Sequence, residues 1–226
     1  MSEITSKNTV LVTTSLFDTY NSISAKRREN LKNTISKYNI PIFFANGIKI
    51  KNKLNYTYIL SYILIQRIVN FKKTNLDYGI ICDDDFHPHS NFLEELNITV
   101  SLLPAGWRSL HLCPGYLWGR KFRRCTEPGN LDPENNIGDL EYDPSGRFFI
   151  NCNGEKWSKK EIWLGGPIAI LVNKNNVDSL LNDFTNYYNK SPQPNDVILT
   201  KILNNNDYVC RSPQLGYENE QGSTTW

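Results

Sequence analysis

The fold is decided by the stretch Tyr78-Gly79-Ile80-Ile81-Cys82-Asp83-Asp84-Asp85, an apolar run that ends abruptly in three carboxylates. A short apolar run of this kind predicts a strand that is buried on both faces. Two similar runs precede it, Thr9–Thr14 and Pro41–Ala45, and each is followed by a helical pattern, over Ser22–Tyr38 and Leu54–Phe71. Strands and helices that alternate in this way predict an α/β protein with a mostly parallel central sheet flanked by helices.

The two helical patterns also predict which helix residues are buried. At near-helical spacing, the first carries Ile23, Leu31, Ile35 and Tyr38, and the second carries Tyr58, Tyr62, Ile65 and Val69. The second helix is largely apolar, so we expect most of its surface to be buried.

The rest of the chain is less regular. Short strands are predicted over Ser109–Cys113, Phe148–Ile150, Ile168–Val172 and Tyr208–Cys210, and helices over Val177–Tyr188 and Asp196–Leu203. The stretch Pro114–Lys160 is rich in Gly, Pro, Asn and charged residues. A segment this long and irregular inside a domain is usually functional or mobile.

Length, composition and charge exclude several classes of protein. A length of 226 residues with 39% hydrophobic residues suits one globular domain, and a net charge of +2 argues against a dedicated nucleic-acid binder. No apolar run approaches the roughly 20 residues of a membrane span, and the polar N-terminus does not resemble a secretory signal. The five cysteines include no CxxC pair and are expected to be reduced thiols. The expected location is therefore the cytoplasm, or the host cytoplasm if the protein is viral.

Polar residues follow three of the predicted strands at the point where each strand ends. They are Thr13-Thr14-Ser15, Asn46-Gly47 and Asp83-Asp84-Asp85. In parallel α/β sheets, ligands bind beyond the carboxyl ends of the strands. A ligand site is therefore predicted at this edge. For the hydroxyls of Thr14 and Ser15, hydrogen bonding within the protein is an equally open interpretation.

The acidic triplet is the sharpest chemical signal. Three adjacent carboxylates repel one another, and a divalent cation such as Mg²⁺ or Mn²⁺ would relieve the repulsion. Alternation along a strand predicts that Asp83 and Asp85 point to one side and Asp84 to the other. The alternative is a solvated acidic turn that caps the helix starting near Ser90.

Taken together, these segments resemble the GT-A glycosyltransferases. The sequence Ile80–Asp85 is similar to their DxD element, and the segments that agree in order are Phe43–Ile48, Trp163–Pro167, Pro194–Asp196 and Ser212–Glu218. The set is similar to enzymes related to the family 25 transferases and to the capsid-glycosylating domains of large chlorella-type viruses. The chain departs from the pattern in lacking the C-terminal His that many GT-A enzymes add to the metal shell. Glu218 or Glu220 could take its place.

The resemblance implies a single GT-A domain over residues 1–226. Residues 1–113 would bind nucleotide sugar and metal, and residues 114–226 would bind the acceptor and carry the catalytic base. The implied activity is metal-dependent transfer of a hexose or deoxyhexose from a nucleotide diphosphate sugar, expected to be UDP-linked, to a glycan or glycoprotein hydroxyl. Inversion is the expected outcome, although retaining enzymes share this fold.

The same resemblance implies roles for individual residues. Asp83 and Asp85 would hold Mn²⁺ or Mg²⁺, with the ribose as an alternative partner of Asp83. The implied nucleotide-sugar pocket contains Thr14, Ser15, Asn46, Gly47, Asp83 and Asp84.

Asp196 is the candidate catalytic base. It lies at the start of a predicted helix, where the helix dipole stabilises a carboxylate, and an inverting transferase needs a single such base. A plain helix cap supplied by Asn195 or Asp196 is the alternative. For the acceptor, Gly165 and Gly166 would let the backbone approach a ligand closely, and Trp163 offers an aromatic face or is ordinary core.

Other features are predicted to be structural. His87 and His89 are expected in a surface loop, with a place at the border of the site as the alternative. His111 is expected in the core with its hydrogen bonds satisfied. Arg120–Arg124 is expected on a solvated loop face, and contact with diphosphate or an anionic acceptor is the alternative. Two other functions compete with glycosyl transfer. One is a sugar-1-phosphate nucleotidyltransferase, whose usual Gly-rich basic loop is missing from Thr13–Asp18. The other is a non-catalytic carbohydrate-binding module.

Overall fold

Strands and helices alternate through the first part of the fold. The computed structural model describes residues 2–15, 22–47, 56–112, 141–142, 148–150, 169–210 and 215–218. The first five elements are β1 (Thr9–Ser15), α1 (Ile23–Ser36), β2 (Ile42–Asn46), α2 (Tyr56–Lys72) and β3 (Tyr78–Cys82). The later strands are β4 (Phe86–Pro88), β5 (Ser109–His111), β6 (Glu141–Tyr142), β7 (Phe148–Ile150), β8 (Ala169–Asn173), β9 (Asp207–Cys210) and β10 (Gly216–Glu218). The later helices are α3 (Phe92–Leu102), α4 (Val177–Lys190) and α5 (Asn195–Ile202).

The described strands form one large sheet and one short ribbon. The large sheet has the order β2-β1-β3-β8-β5-β9-β7-β6, and β4 pairs with β10. In the large sheet, β8 and β7 run against the other six strands, since β8 is antiparallel to β3 and β5, and β7 is antiparallel to β6 and β9. The predicted α/β class with a mostly parallel sheet is confirmed.

Helices cover both faces of this sheet. On one face, a core cluster includes Leu11, Ile80 and Leu171 from the strands, with Leu31 of α1 and Phe92 of α3. The residues adjacent to these on the same strands turn to the other face and pack against α2, α4 and α5. This alternation follows from the two-residue period of strands, so each central strand is apolar on both sides.

The buried faces of α1 and α2 differ from the predicted ones. The buried residues of α1 are Ser24, Arg27, Leu31 and Ile35, while Ile23 is exposed. Tyr58 and Tyr62 are likewise exposed, and the buried residues of α2 are Ser61, Leu64, Arg67, Ile68 and Phe71. In both helices, an arginine takes part in the buried face, which an apolar pattern alone does not indicate.

The strand pair β4–β10 was not predicted. It brings the C-terminal part of the chain beside the residues that follow β3, with Glu218 in register with Phe86 and Tyr217 with His87. The preceding residue, Leu215, is buried in the core and its N–H donates to the carbonyl of Leu112. The short ribbon therefore joins the end of the chain to the acidic triplet.

A buried polar network lies at the amino end of β5. The guanidinium of Arg108 donates to both carboxylate oxygens of Asp207, to Asp183 and to the carbonyl of Ile202. Asp207 also accepts from Ser109 Oγ at 2.6 Å. A buried ion pair needs additional hydrogen bonds to compensate for the lost hydration of both groups, and this network provides them. The network joins β5, β9 and two helices, at the edge opposite the carboxyl ends of the parallel strands.

His111 is buried, but its hydrogen bonds are not all satisfied. In the described structure, Nε2 is buried without a hydrogen-bond partner, which corrects the predicted satisfied core histidine. Burial is the largest influence and lowers the pKa of His111 to about 4, with Asp207 opposing the shift and Arg108 adding to it. The imidazole is therefore neutral at physiological pH.

Among the described helices, none combines the length and apolar character needed to cross a membrane.

Candidate functional site

The polar ends of β1, β2 and β3 meet at one edge of the sheet. Ser15 is in register with Asn46, and the N–H of Gly47 donates to the carbonyl of Ser15 at 2.8 Å. On the other side of β1, Val12 is in register with Ile81, so Thr14 lies level with Asp83. The structure therefore brings together the residues predicted for the nucleotide-sugar pocket.

Asp83 contacts an arginine of α2. Arg67 Nη1 donates to Asp83 Oδ1 at 2.6 Å, and Arg67 Nε donates to Thr14 Oγ1 at 3.0 Å. The Arg67 side chain is 6% exposed and that of Asp83 is 32% exposed. One buried guanidinium thus joins the ends of β1 and β3.

Asp84 and Asp85 contact a different arginine, Arg27 of α1. Arg27 Nη1 lies 3.3 Å from Asp84 Oδ1 and 3.0 Å from Asp85 Oδ2. Asp84 also accepts from Ser15 Oγ at 2.7 Å, and Arg28 Nη1 lies 3.3 Å from the same hydroxyl. The hydroxyls of Thr14 and Ser15 are therefore used in hydrogen bonds within the protein.

The direction of the three carboxylates differs from the predicted alternation. Asp84 and Asp85 share Arg27, whereas Asp83 turns to Arg67, whose helix packs on the opposite face of the sheet. The reason is local: the backbone leaves the strand after Cys82, and a turn forms in which the Phe86 N–H donates to the Asp83 carbonyl. The two-residue alternation does not apply inside a turn.

Sequence reasoning missed Arg27 and Arg67. The signal for Arg67 was present, since it is the one charged residue between Tyr56 and Phe71 in an otherwise apolar helix. A charge in such a helix costs much free energy unless it has a partner, so it indicates a buried carboxylate nearby. Arg27 gave a weaker signal because other basic residues surround it in α1.

The two arginines also change the meaning of the acidic triplet. A divalent cation would relieve the repulsion within the triplet, but in this structure guanidinium groups already contact all three carboxylates. Among the described residues, no group of three or more His, Cys, Asp or Glu side chains is arranged to hold a metal ion. Asp83 is the most exposed of the three and carries the hard oxygen donors that Mg²⁺ and Mn²⁺ prefer. A cation bound to Asp83 would therefore have to take most of its ligands from groups other than the described side chains.

His87 lies beside the triplet, on β4 and not in a surface loop. It lines a small pocket together with Arg27, Asn30, Leu31, Asp84, Asp85 and Phe86. Burial, followed by the charge of Lys37, lowers the pKa of His87, and burial lowers that of His89 as well. The imidazole of His87 is therefore neutral near pH 7, and it adds no positive charge to those of Arg27, Arg28 and Arg67.

Asp196 lies in the first turn of α5, at the predicted place. Its N–H donates to Asn195 Oδ1 at 2.9 Å, and its own Oδ1 accepts from the Val197 N–H at 2.8 Å. Ser61 of α2 donates to the carbonyl of Gln193 at 2.6 Å, which anchors the start of α5. Arg67, six residues further along α2, contacts Asp83, so the start of α5 is anchored to the same helix that contacts the end of β3.

Several predicted site residues lie outside the described part of the chain. They include Trp163, Gly165 and Gly166, assigned to the acceptor, and Glu220, named as a metal ligand. The Pro114–Lys160 stretch lies outside it as well, apart from β6 and β7.

Comparisons with known proteins find similarity to solved structures. No protein-family model matches the chain, and no curated protein matches it. Among solved structures, the chain is similar to a glycosyltransferase involved in the glycosylation of the major capsid of PBCV-1. The match covers 81% of this chain and 68% of that chain, with 10% sequence identity and a TM-score of 0.39. A likeness at this level does not assign a function, so the residues of the site must do so.

Proposed function

We propose that the protein is a metal-dependent glycosyltransferase that uses a nucleotide diphosphate sugar. One observation carries the proposal: three carboxylates follow β3 and meet the polar ends of β1 and β2 at the carboxyl edge of a mostly parallel sheet. This edge is where α/β proteins bind nucleotides. The donor we expect is a UDP-sugar carrying a hexose or deoxyhexose, and the acceptor is a hydroxyl of a glycan or glycoprotein.

In this proposal, the described residues have different roles in donor binding. Asn46 and Gly47 end the strand beside β1, where a nucleoside can lie against exposed backbone and amide groups. Asp84 is buried and hydrogen-bonded to Ser15, so its role is to hold the loop in shape. Asp83 reaches the surface and is the residue able to contact a ligand. Asp85 has its Oδ2 on Arg27, and binding a cation there would mean that this contact is exchanged.

A divalent cation would be held by Asp83 and the diphosphate, and also by Asp85 if its side chain turned from Arg27 towards Asp83. When bound, it supplies Lewis-acid neutralisation of the charge on the leaving diphosphate. The protein's part is to position the diphosphate and to keep the carboxylates in place with Arg27 and Arg67. Of the described carboxylates, Asp196 is proposed to accept the proton of the acceptor hydroxyl, which corresponds to an inverting reaction.

The proposal is tested by titrating UDP into the protein in a calorimeter, with Mn²⁺ and again with excess EDTA. Because the acidic site and the diphosphate both need the cation, the affinity should fall at least tenfold with EDTA. Asp83→Asn should reproduce the effect of the chelator. The matched control is Asp178→Asn, which removes an exposed carboxylate of α4 that contacts Lys72. Equal UDP affinity with and without metal would exclude Asp83 as a metal ligand, and absence of UDP binding would exclude the proposed function.

A further inference from the structure

Arg67 is a charged residue in an unusual place. It lies on the buried face of α2, between Leu64 and Phe71, and its side chain is 6% exposed. Burying a guanidinium is unfavourable unless hydrogen bonds and an opposite charge compensate for its lost hydration. An apolar residue in this position would pack against the sheet at lower cost. The charge therefore needs an explanation beyond packing.

The hydrogen bonds of Arg67 to described residues use two of the three nitrogen atoms of its guanidinium. Nε donates to Thr14 and Nη1 to Asp83. Among the described residues, no acceptor contacts Nη2. A guanidinium offers five N–H donors in a plane, and this geometry suits the oxygens of phosphate groups.

Asp83 is the most accessible carboxylate of the site. Its side chain is 32% exposed, whereas those of Asp84 and Asp85 are 10% and 11% exposed, and Arg27 and Arg67 are equally buried at 6%. A ligand that enters the site from solvent and contacts Asp83 therefore also comes close to Arg67.

Counted over the described residues, the charges at this edge are balanced. Asp83, Asp84 and Asp85 carry three negative charges, and Arg27, Arg28 and Arg67, which contact this loop or Ser15, carry three positive ones. A cation bound to Asp83 would take over the role that Arg67 has in the free protein. The positive charge of Arg67 would then be available to an anion next to the cation.

We propose that Arg67 is a binding residue for the diphosphate of the nucleotide, and that Asp83 changes partner from Arg67 to the cation when the nucleotide binds. This inference rests on the proposed function and adds to it the residue that recognises the phosphate groups. No bond is made or broken in this exchange, since only ion pairs and hydrogen bonds change.

The experiment measures the affinity of UDP and of uridine in the presence of Mn²⁺, for the wild type, Arg67→Met and Arg67→Lys. Losing a charge-assisted hydrogen bond should weaken UDP binding about ten- to a hundredfold in Arg67→Met. Arg67→Lys keeps the charge but not the planar fork, so its loss should be smaller. Uridine has no phosphate, and its affinity should be unchanged. Lys72→Met is the matched control, because Lys72 lies on the same helix but pairs with Asp178 on the surface.

The outcomes separate this inference from the proposed function. Wild-type protein that fails to bind UDP contradicts the proposed function itself. UDP binding that is strong in the wild type and equally strong in both Arg67 variants overturns the role of Arg67 alone. An equal loss for UDP and uridine also overturns it, because it would show that Arg67 only shapes the pocket. If Arg67→Met does not fold, as judged by circular dichroism, the Arg67→Lys comparison decides.

Discussion

At the scale of single residues, the adjacent carboxylates Asp84 and Asp85 can be buried only because other groups compensate their charge. Asp84 and Asp85 are nearly buried and share the guanidinium of Arg27, and Asp84 also accepts a hydrogen bond from the hydroxyl of Ser15. Removing one partner of a buried ion pair typically costs about 3–5 kcal/mol, because the other charge is left uncompensated. Arg27 is therefore as much a part of this site as the acidic residues that mark it in the sequence.

The first prediction at this scale concerns Asp196→Asn. If Asp196 is the base, the substitution should lower the transfer rate by about 10²- to 10⁴-fold, while donor affinity stays close to wild type. Asparagine keeps the side-chain oxygen that accepts from Val197, so the melting temperature should change little. Transfer rates are measured beside thermal melts.

Two results would remove Asp196 from its role. A variant that transfers sugar at the normal rate would show that Asp196 only caps the helix. A product with the anomeric configuration of the donor would exclude the single-base mechanism, whatever the variant does.

The second prediction concerns His111 and pH. Because its pKa in the folded protein is about 4 and that of an unfolded histidine is about 6.5, the unfolded chain binds a proton first as the pH falls. The free energy of unfolding should therefore decrease between pH 6.5 and pH 4, by at most about 3 kcal/mol from this residue. His111→Gln should show a shallower decrease over this window than the wild type. Urea unfolding at several pH values measures it, and identical slopes for the two proteins would contradict the prediction.

At the scale of elements, the packing of α2 against β3 positions Arg67 beside the acidic triplet. Gly79 of β3 lies directly under the ring of Phe71, and a Cβ atom at position 79 would come within 2.5 Å of Phe71 Cγ. This close approach sets the distance between helix and strand. Four residues before Phe71, the same helix carries Arg67 to the end of β3.

The third prediction follows from this contact. Gly79→Ala should destabilise the protein by about 1–3 kcal/mol, because the buried ring must shift to make room. The shift should also disturb Arg67, so UDP binding with Mn²⁺ should weaken as well. Gly106→Ala is the comparison, since no atom lies within 4 Å of a Cβ there and its cost comes from backbone strain at φ 87°. Unchanged stability of Gly79→Ala would show that Phe71 moves freely.

At the scale of the whole molecule, distant segments meet at the carboxyl edge of the sheet. β10 returns to pair with β4, and the N–H of His89 donates to the carbonyl of Leu215, whose side chain is buried in the core. The start of α5 is joined to α2 by Ser61. Contacts between parts of the chain more than 100 residues apart therefore border this edge of the sheet.

The sequence by itself determined the class of the fold and the edge at which its polar strand ends, the candidate site, come together. Apolar runs bounded by polar residues identify β1, β2 and β3, because a strand buried on both faces must be apolar throughout. Their order with the helices requires parallel pairing, so the polar residues that end them had to meet. Thr14, Ser15, Asn46, Gly47 and the acidic triplet could be grouped on this basis.

Only the tertiary structure decided what contacts these residues make. The direction of Asp83, Asp84 and Asp85 depends on a turn after Cys82, and their partners Arg27 and Arg67 come from helices on opposite faces of the sheet. Arg27, which has basic neighbours in α1, is indistinguishable from a solvated residue in the sequence until the position of its carboxylates is known. The β4–β10 pair is hidden for the same reason: it depends on a contact between distant segments, and local periodicity carries no information about such contacts.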